Sequence, residues 1–359
     1  MPLSDDPQTR QATINDVAKL AGTSIATVSR VLNQNGYPVS AETRRRVEEA
    51  ARALHYTPNL LGSLLKSRSN RFLGIIIPSF QNPYFIQLVM GIEQAAKQRN
   101  YSTFVFCSQR DKKRERALLA QSAKLHLSGV LLSSIDDDAK ALQNYMTTHG
   151  SVAIFEADFP LSPQMLDATS QMDENGFLAT HHLIELGHRR IALLTTPLHK
   201  HNRIMVYEGY RKALLSCNLP FSPDDVFVAP FERELDNGLF EFEAGKELGK
   251  SLLSAQRAYT GIVAVNDLVA CGIVQQLTRS GVRVPEDISV IGIDDIPQCV
   301  MITPTLSSIN QQSYNHGYST CMRLIDRLES EQVTLNERCY CQPQVIKRES
   351  TKAISENKG

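Results

Sequence analysis

From Phe72 onward, short apolar runs alternate with longer amphipathic ones, and this alternation restricts the fold more than any other feature of the chain. FLGIIIP (72–78) is a continuous apolar run closed by proline, the pattern of a strand buried on both faces. Tyr84–Arg99 then places Ile86, Val89, Ile92 and Ala96 on one helical side. Strand-like FVF (104–106), GVLL (129–132), VAIF (152–155), IALL (191–194), VFVA (226–229), GIVAV (261–265) and ISVIGI (288–293) follow. Between them lie helix-like segments at 114–125, 139–149, 175–186, 204–217, 241–255 and 267–280. Such sustained βα alternation predicts parallel sheets covered by helices on both faces. A chain of 359 residues with 42% hydrophobic content can build two doubly wound lobes. Ligands of such folds bind beyond the carboxyl ends of the strands, here in a cleft between lobes.

The segment before Phe72 has a different period. In TINDVAKLAGTSIATVSRVLN (13–33), Ile14, Val17, Ala18 and Ala21 form one apolar helical face. Thr13 and Asp16 suit a capping box, Gly22 suits a sharp turn, and Ser24 suits the cap of a second helix. That helix buries Val28, Val31 and Leu32 and leaves Ile25, Ala26, Ser29, Arg30 and Asn33 outside. Two short helices joined by a tight turn are a helix-turn-helix, whose second helix enters the DNA major groove. An outward arginine there can bond a guanine edge bidentately; an ordinary αα-hairpin surface is the competing reading. Ser40 caps a third helix with Val47, Ala50, Ala51 and Leu54 on its inner face. Its Arg44–Arg46 run faces outward, toward phosphates or simply toward solvent. Asn59–Leu65 allows two helical turns, too few to hold in water without packing.

Net charge is zero, but residues 13–71 carry nine Lys/Arg against four Asp/Glu. Charge asymmetry of this kind points to a nucleic-acid partner for the segment alone. The first dozen residues have no apolar core of a secretory signal, and no run is long enough to span a membrane. Seven scattered cysteines fit a reducing cytoplasm, with Cys339 and Cys341 on one face of an expected strand as idle thiols. His181/His182 and His199/His201 lack the partners of a metal site, so no metal and no cofactor are expected. No GxGxxG, GxxxxGK[ST] or GxSxG motif is present, so catalysis is not expected.

Seven stretches together resemble the lactose/galactose-repressor family of bacterial transcription regulators. They are residues 13–33, VSAETRRRVEEAARALHYTPN (39–59), NPYF (82–85), LGHRRIALL (186–194), EGYRKAL (208–214), VNDLVACG (265–272) and VPEDISVIGIDDIP (284–297). The resemblance implies an all-α helix-turn-helix head (13–58), a hinge helix and linker (59–71), and an α/β core (72–345) similar to periplasmic sugar-binding proteins. The lobes of that core fall at roughly 72–171 plus 312–338 and 172–311 plus 339–345, and a polar tail (346–359) follows. Ile25, Ala26 and Arg30 match base-reading positions. The candidate DNA-contacting set adds Thr13, Ser24, Thr27, Ser29 and Asn33 from the head, with Asn59, Leu65 and Lys66 from the hinge. An apolar residue such as Leu65, inserted between base steps, kinks a duplex.

In the core the resemblance assigns Tyr84 and Phe85 to the wall of an effector pocket and Asn266, Asp294 and Gln311 to its polar ligands. Asn266 and Asp294 also stand where caps and turns follow strands, so a structural role is open for both. Two positions depart from the family pattern. Glu156 and Ala157 replace a common Asp-Arg pair, and Ile204 stands where a pocket arginine is common, with Arg203 one residue away. Either the effector is not a sugar held in the usual way, or Arg203 reaches in. The implied function is that of a homodimeric cytoplasmic repressor on a palindromic operator, controlled by a sugar, nucleoside or related metabolite. The alternatives are a regulator without the usual sugar response, or a solute-binding protein. The tail lacks the apolar heptads of a tetramerising coiled coil.

Overall fold

The computed structural model describes residues 12–32, 38–56, 71–148, 150–230, 239–330 and 341–354. The chain divides into two compact units, Met1–Asn70 and Arg71–Gly359. The expected positions Asn33, Asn59, Leu65, Lys66 and Cys339 lie outside the described residues.

The first unit contains α1 (Ile14–Leu20), α2 (Ile25–Leu32) and α3 (Ala41–Ala53). The side chains read from the sequence as inner faces form its core, from Val17 and Ala18 to Ala50 and Ala51. Asp16 Oδ2 accepts from both the Thr13 backbone N–H (2.8 Å) and the Thr13 hydroxyl (2.7 Å), fixing the start of α1 beside its positive dipole end. Gly22 at φ +60° makes the turn, in a region that an L side chain rarely adopts. Ser24 Oγ accepts from the Thr27 backbone N–H at 3.1 Å and starts α2.

The second unit holds two sheets. In the first, β1 (Phe72–Ile77), β2 (Ser102–Cys107), β3 (Gly129–Ser133), β4 (Ser151–Glu156) and β5 (Leu166–Asp167) lie in the order β2-β1-β3-β4-β5. All their pairings are parallel, as the continuous apolar runs require. α4 (Pro83–Gln98), α5 (Lys112–Lys124) and α6 (Lys140–Thr148) are the intervening helices. The second sheet has β6 (Ile191–Thr195), β7 (Val226–Val228), β8 (Gly261–Ala264), β9 (Ser289–Ile293), β10 (Ser307–Asn310) and β11 (Gln344–Ile346). Their order is β11-β10-β9-β8-β6-β7. Its helices are α7 (Met172–Glu185), α8 (His201–Ser216), α9 (Phe240–Ser254) and α10 (Asp267–Arg279).

The chain crosses between the lobes after β5, after β10 and again before β11. After β10, α11 (Ser313–Glu329) packs on α4 in the first lobe. The two helices touch backbone to backbone: a Cβ on Gly91 would stand 2.0 Å from Tyr314 O, and one on Gly317 would stand 2.2 Å from Leu88 O.

Three features depart from the sequence reading. On α4, Ile86, expected on the inner side, is exposed and Val89 half-buried, while Phe85, Leu88 and Ala95 are buried with Ile92 and Ala96. Strand β10 is SSIN, not an apolar run, yet Ser307 and Ser308 are fully buried. Their hydroxyls are satisfied internally: Ser308 donates to Asp267 Oδ1 at 2.6 Å, and Ser307 donates to Arg348 O at 3.1 Å. β11 is antiparallel to β10 and begins at Gln344, so Cys341 sits in irregular chain before it, not on the face of a strand. Residues 347–354 run along the second lobe. Ser350 is buried and donates to Val290 O, and the Ile354 N–H donates to Leu186 O.

Candidate ligand cleft and nucleic-acid interface

Within the second unit, the carboxyl ends of the parallel strands face a cleft of about 860 Å³, part of it open solvent. Each expected effector residue lines it: Tyr84, Phe85, Glu156, Arg203, Asn266, Asp294 and Gln311. Local sequence explains their positions. After β1, Asn82 Oδ1 accepts from the Tyr84 N–H at 3.0 Å, and Pro83 opens α4, which sets Tyr84 and Phe85 on its first turn. The two rings are 5.1 Å apart and edge-on. Glu156 ends β4, and Arg203 lies in the first turn of α8. Asn266 follows β8, Asp294 follows β9 at φ +121°, and Gln311 follows β10.

The structural role left open for Asn266 is present, and the same residue lines the cleft. Its Oδ1 caps α10 by accepting from the Val269 N–H at 2.9 Å, and its amide nitrogen remains for the cleft. Asp294 is held from the side: Gln311 Nε2 donates to its Oδ1 at 2.6 Å, and Asn175 Nδ2 donates to Gln311 Oε1 at 2.9 Å. Arg203, not Ile204, lines the cleft; Ile204 is exposed, and the Arg203 Nε–H donates to Thr196 Oγ1 at 2.9 Å. Glu156 Oε1 accepts from Asn202 Nδ2 at 3.2 Å.

Burial sets the electrostatics. Removal from water pushes the Glu156 carboxyl above its ordinary range, against the pull of Arg203 and Asn202. Burial, reinforced by the neighbouring Asp267, raises Asp294 as well, again opposed by Arg203. The Tyr84 phenol is raised by burial and by these two carboxylates. Asp267 is pushed up to about 7 by burial, although Ser308, the Ile296 N–H and Cys299 all donate to it.

Sequence reasoning missed the residues that join the lobes across the cleft. Arg110, after β2, pairs with Glu241 in α9, and both are nearly buried. Lys200 donates to Asp158 Oδ2 and to Ile135 O, each at 2.8 Å, and the His201 N–H donates to Asp158 Oδ1 at 2.7 Å. None of these residues stands in a motif; a proline or aromatic pattern gave no hint of them. His182 turns inward, with Nε2 3.1 Å from Thr351 Oγ1, and burial lowers its pKa to about 4.

In the head, Ile25, Ala26 and Arg30 are exposed on α2, while Thr27 and Ser29 are half-buried. Thr13 and Ser24 do capping work at the helix starts. Arg46 is exposed, as the basic run suggested, but it is not free for phosphate alone. Its guanidinium turns back on the helix-turn-helix turn, donating to Ala21 O (2.7 Å) and Gly22 O (3.1 Å). Carbonyls at a helix end are natural acceptors for it. Arg45 stays exposed, 3.8 Å from Glu49. No helix among the described residues is long and apolar enough to cross a membrane.

Residues 13–59 match the profile of the bacterial regulatory proteins of the lacI family, and residues 180–351 match a periplasmic binding protein-like domain. The HTH-type transcriptional repressor PurR of Haemophilus influenzae (strain PittEE) is 31% identical over 345 residues, covering 96% of this chain and 99% of that protein. The protein of the same name from Mannheimia succiniciproducens is 30% identical over 96% of this chain and all of its own length. Among solved structures, the lac repressor dimer bound to operator and the anti-inducer ONPF superposes with a TM-score of 0.80 at 27% identity, over 96% of this chain and 100% of that one. A complex of the transcriptional regulator CelR with cellobiose gives 0.68 at 27% identity, over 94% and 99%. With the helix-turn-helix head, the paired α/β lobes and full-length relatives all in agreement, the chain belongs to the lacI family of bacterial regulatory proteins.

Proposed function

We propose that the protein is a cytoplasmic, homodimeric transcriptional repressor without catalytic activity, whose hold on a palindromic operator is set by a small molecule in the cleft. The observation that carries this reading is that the five residues assigned by the family resemblance, Tyr84, Phe85, Asn266, Asp294 and Gln311, line one cleft between lobes together with Glu156 and Arg203. Arg30 serves as the base-reading residue of α2, with Ile25 and Ala26 placed for apolar contact with thymine methyls. One short recognition helix reads too few base pairs for gene-level specificity, and a two-fold dimer doubles the site.

Two measurements on the full chain test the proposal. Selection from a random duplex library should return a sequence with two-fold symmetry; asymmetric or unselected DNA would count against the head's role. A thermal-shift screen of metabolites should find a compound that raises the melting temperature, because a ligand of the folded state stabilises it. A chain that no compound in a broad panel of sugars, nucleosides and amines stabilises would remove the cleft from the account.

A further inference from the structure

The cleft holds more carboxylates than cations, and their pairing leaves the surplus in one place. Arg110 is matched with Glu241 and Lys200 with Asp158. What remains is Glu156 and Asp294 around one guanidinium, that of Arg203, so a surplus of one negative charge arises whenever both are ionised, a state that their burial opposes. Its Nε–H is given to Thr196, not to either carboxylate. Glu156 uses Oε1 for Asn202, and Asp294 uses Oδ1 for Gln311. Among the described residues no donor reaches their second oxygens. The neighbouring Asn202 supplies an independent mark, because its Oδ1 is buried and accepts no hydrogen bond. A buried acceptor left unpaired is costly, and a donor on a bound molecule removes that cost.

Burial disfavours the ionised form of Glu156, and a partner beside it and Asn202 that donates and carries positive charge would favour that form. An ammonium group does both, with three donors and no acceptor. The rest of the cleft asks for something else. The Arg203 guanidinium and the Asn266 amide offer donors and Asp294 an acceptor, a mixture that suits hydroxyls. Tyr84, Phe85 and Phe155 supply an apolar wall for a ring face. Resting on the cleft reading above, we propose that the cleft takes a small polyhydroxyl molecule bearing a protonated amine, of the amino-sugar type. Its ammonium lies at Glu156 and Asn202 and its hydroxyls lie toward Arg203 and Asp294. Such a ligand cancels the surplus charge; a neutral sugar leaves it, and a phosphorylated one adds a second anion to it.

Calorimetric titration of the full-length protein near neutral pH, with glucosamine, glucose and glucose 6-phosphate as probes, decides the matter. The three share one ring body and differ in charge. Glucosamine should bind at least about tenfold more tightly than glucose, and glucose 6-phosphate more weakly than either. In Glu156→Gln the advantage of glucosamine over glucose should vanish. Glucosamine binding no better than glucose, silence from all three included, overturns the proposal, and so does an advantage that survives in Glu156→Gln. The wild-type comparison stands even if the variant fails to fold. Preference for glucose or glucose 6-phosphate would refute the amine while leaving the cleft as a ligand site, whereas the cleft reading itself stands or falls on the metabolite screen.

Discussion

The head and the core carry their proposed recognition residues in opposite ways. In the head, a small apolar core from Val17 to Ala51 is buried so that Ile25, Ala26 and Arg30 can stand in solvent. In the core, a far larger apolar cluster supports polar residues that are themselves buried: Asn266, Asp294 and Gln311 are each less than a tenth exposed. An outward recognition surface makes no demand on its scaffold beyond rigid helices. An inward one must desolvate carboxylates and satisfy them, and only a large core can offset that cost. The head therefore has little stability to lose and the cleft has much electrostatic tension to release.

The largest effect should come from attacking the head's core. Val28 is fully buried, and Val28→Asp would place an unpaired carboxylate there, a change costing more than about 4 kcal/mol. A head of this size should unfold and lose DNA binding. The melting transition of the core should stay where it was, as followed by calorimetry. If the whole chain melts earlier in one step, the two units are not independent.

Next comes the bridge between lobes. Glu241→Gln removes the charge that faces Arg110 and should cost the core about 1.5–3 kcal/mol in urea unfolding. Small-angle scattering should also show a more open average shape. An unchanged midpoint and an unchanged shape would mean that the pair is incidental.

Why this bridge was not legible in the sequence follows from its physics. Arg110 and Glu241 are 131 positions apart and meet only because β2 and α9 deliver them to the same gap. Periodicity reports which face of a helix is buried, and it found the inner faces of α1, α2 and α3; on α4 it placed the face wrongly, because Ile86 is exposed and Phe85, Leu88 and Ala95 are buried with Ile92 and Ala96. It cannot report which polar residues beyond strand ends will share a cleft. Those that were legible, such as Tyr84 and Asn266, belong to short motifs where a cap and a strand end coincide. β10 was missed for a related reason. Its buried serines look like a loop until Asp267 and Ser350 are there to bond them. Arg46 was left open between phosphate and solvent because its partners, the carbonyls of Ala21 and Gly22, carry no sequence signal.

A smaller effect should appear in the pH dependence of the core. Burial raises the folded Glu156 carboxyl above its unfolded value, so the native state holds that proton more tightly. Ionising Glu156 therefore costs stability. The cost is absent at acid pH and grows as pH rises from the ordinary carboxylate range through the raised value. Glu156→Gln cannot ionise, so its melting temperature should equal that of wild type in acid and exceed it near neutrality. The gain should be about 1.4 kcal/mol for each unit by which burial lifts the carboxyl. An advantage that does not change with pH would show that Glu156 acts through packing and not through its charge.

The claim that ties the two regions together is that a ligand inside the cleft controls the outward face of the head. It is tested most directly by fluorescence anisotropy of the selected palindromic duplex, titrated with and without the stabilising metabolite, on wild type, Asp294→Asn and Arg30→Ala. Asparagine suits position 294 because it keeps the shape of the aspartate at this φ of +121° and removes its charge. Wild type should change its DNA affinity at least about tenfold when the ligand is added, a coupling of ~1.4 kcal/mol. Asp294→Asn should bind the duplex as wild type does and ignore the ligand. Arg30→Ala should lose ~1–3 kcal/mol of discrimination between the selected and a random duplex while keeping its ligand affinity. DNA affinity that is indifferent to a ligand bound in the cleft would contradict the account.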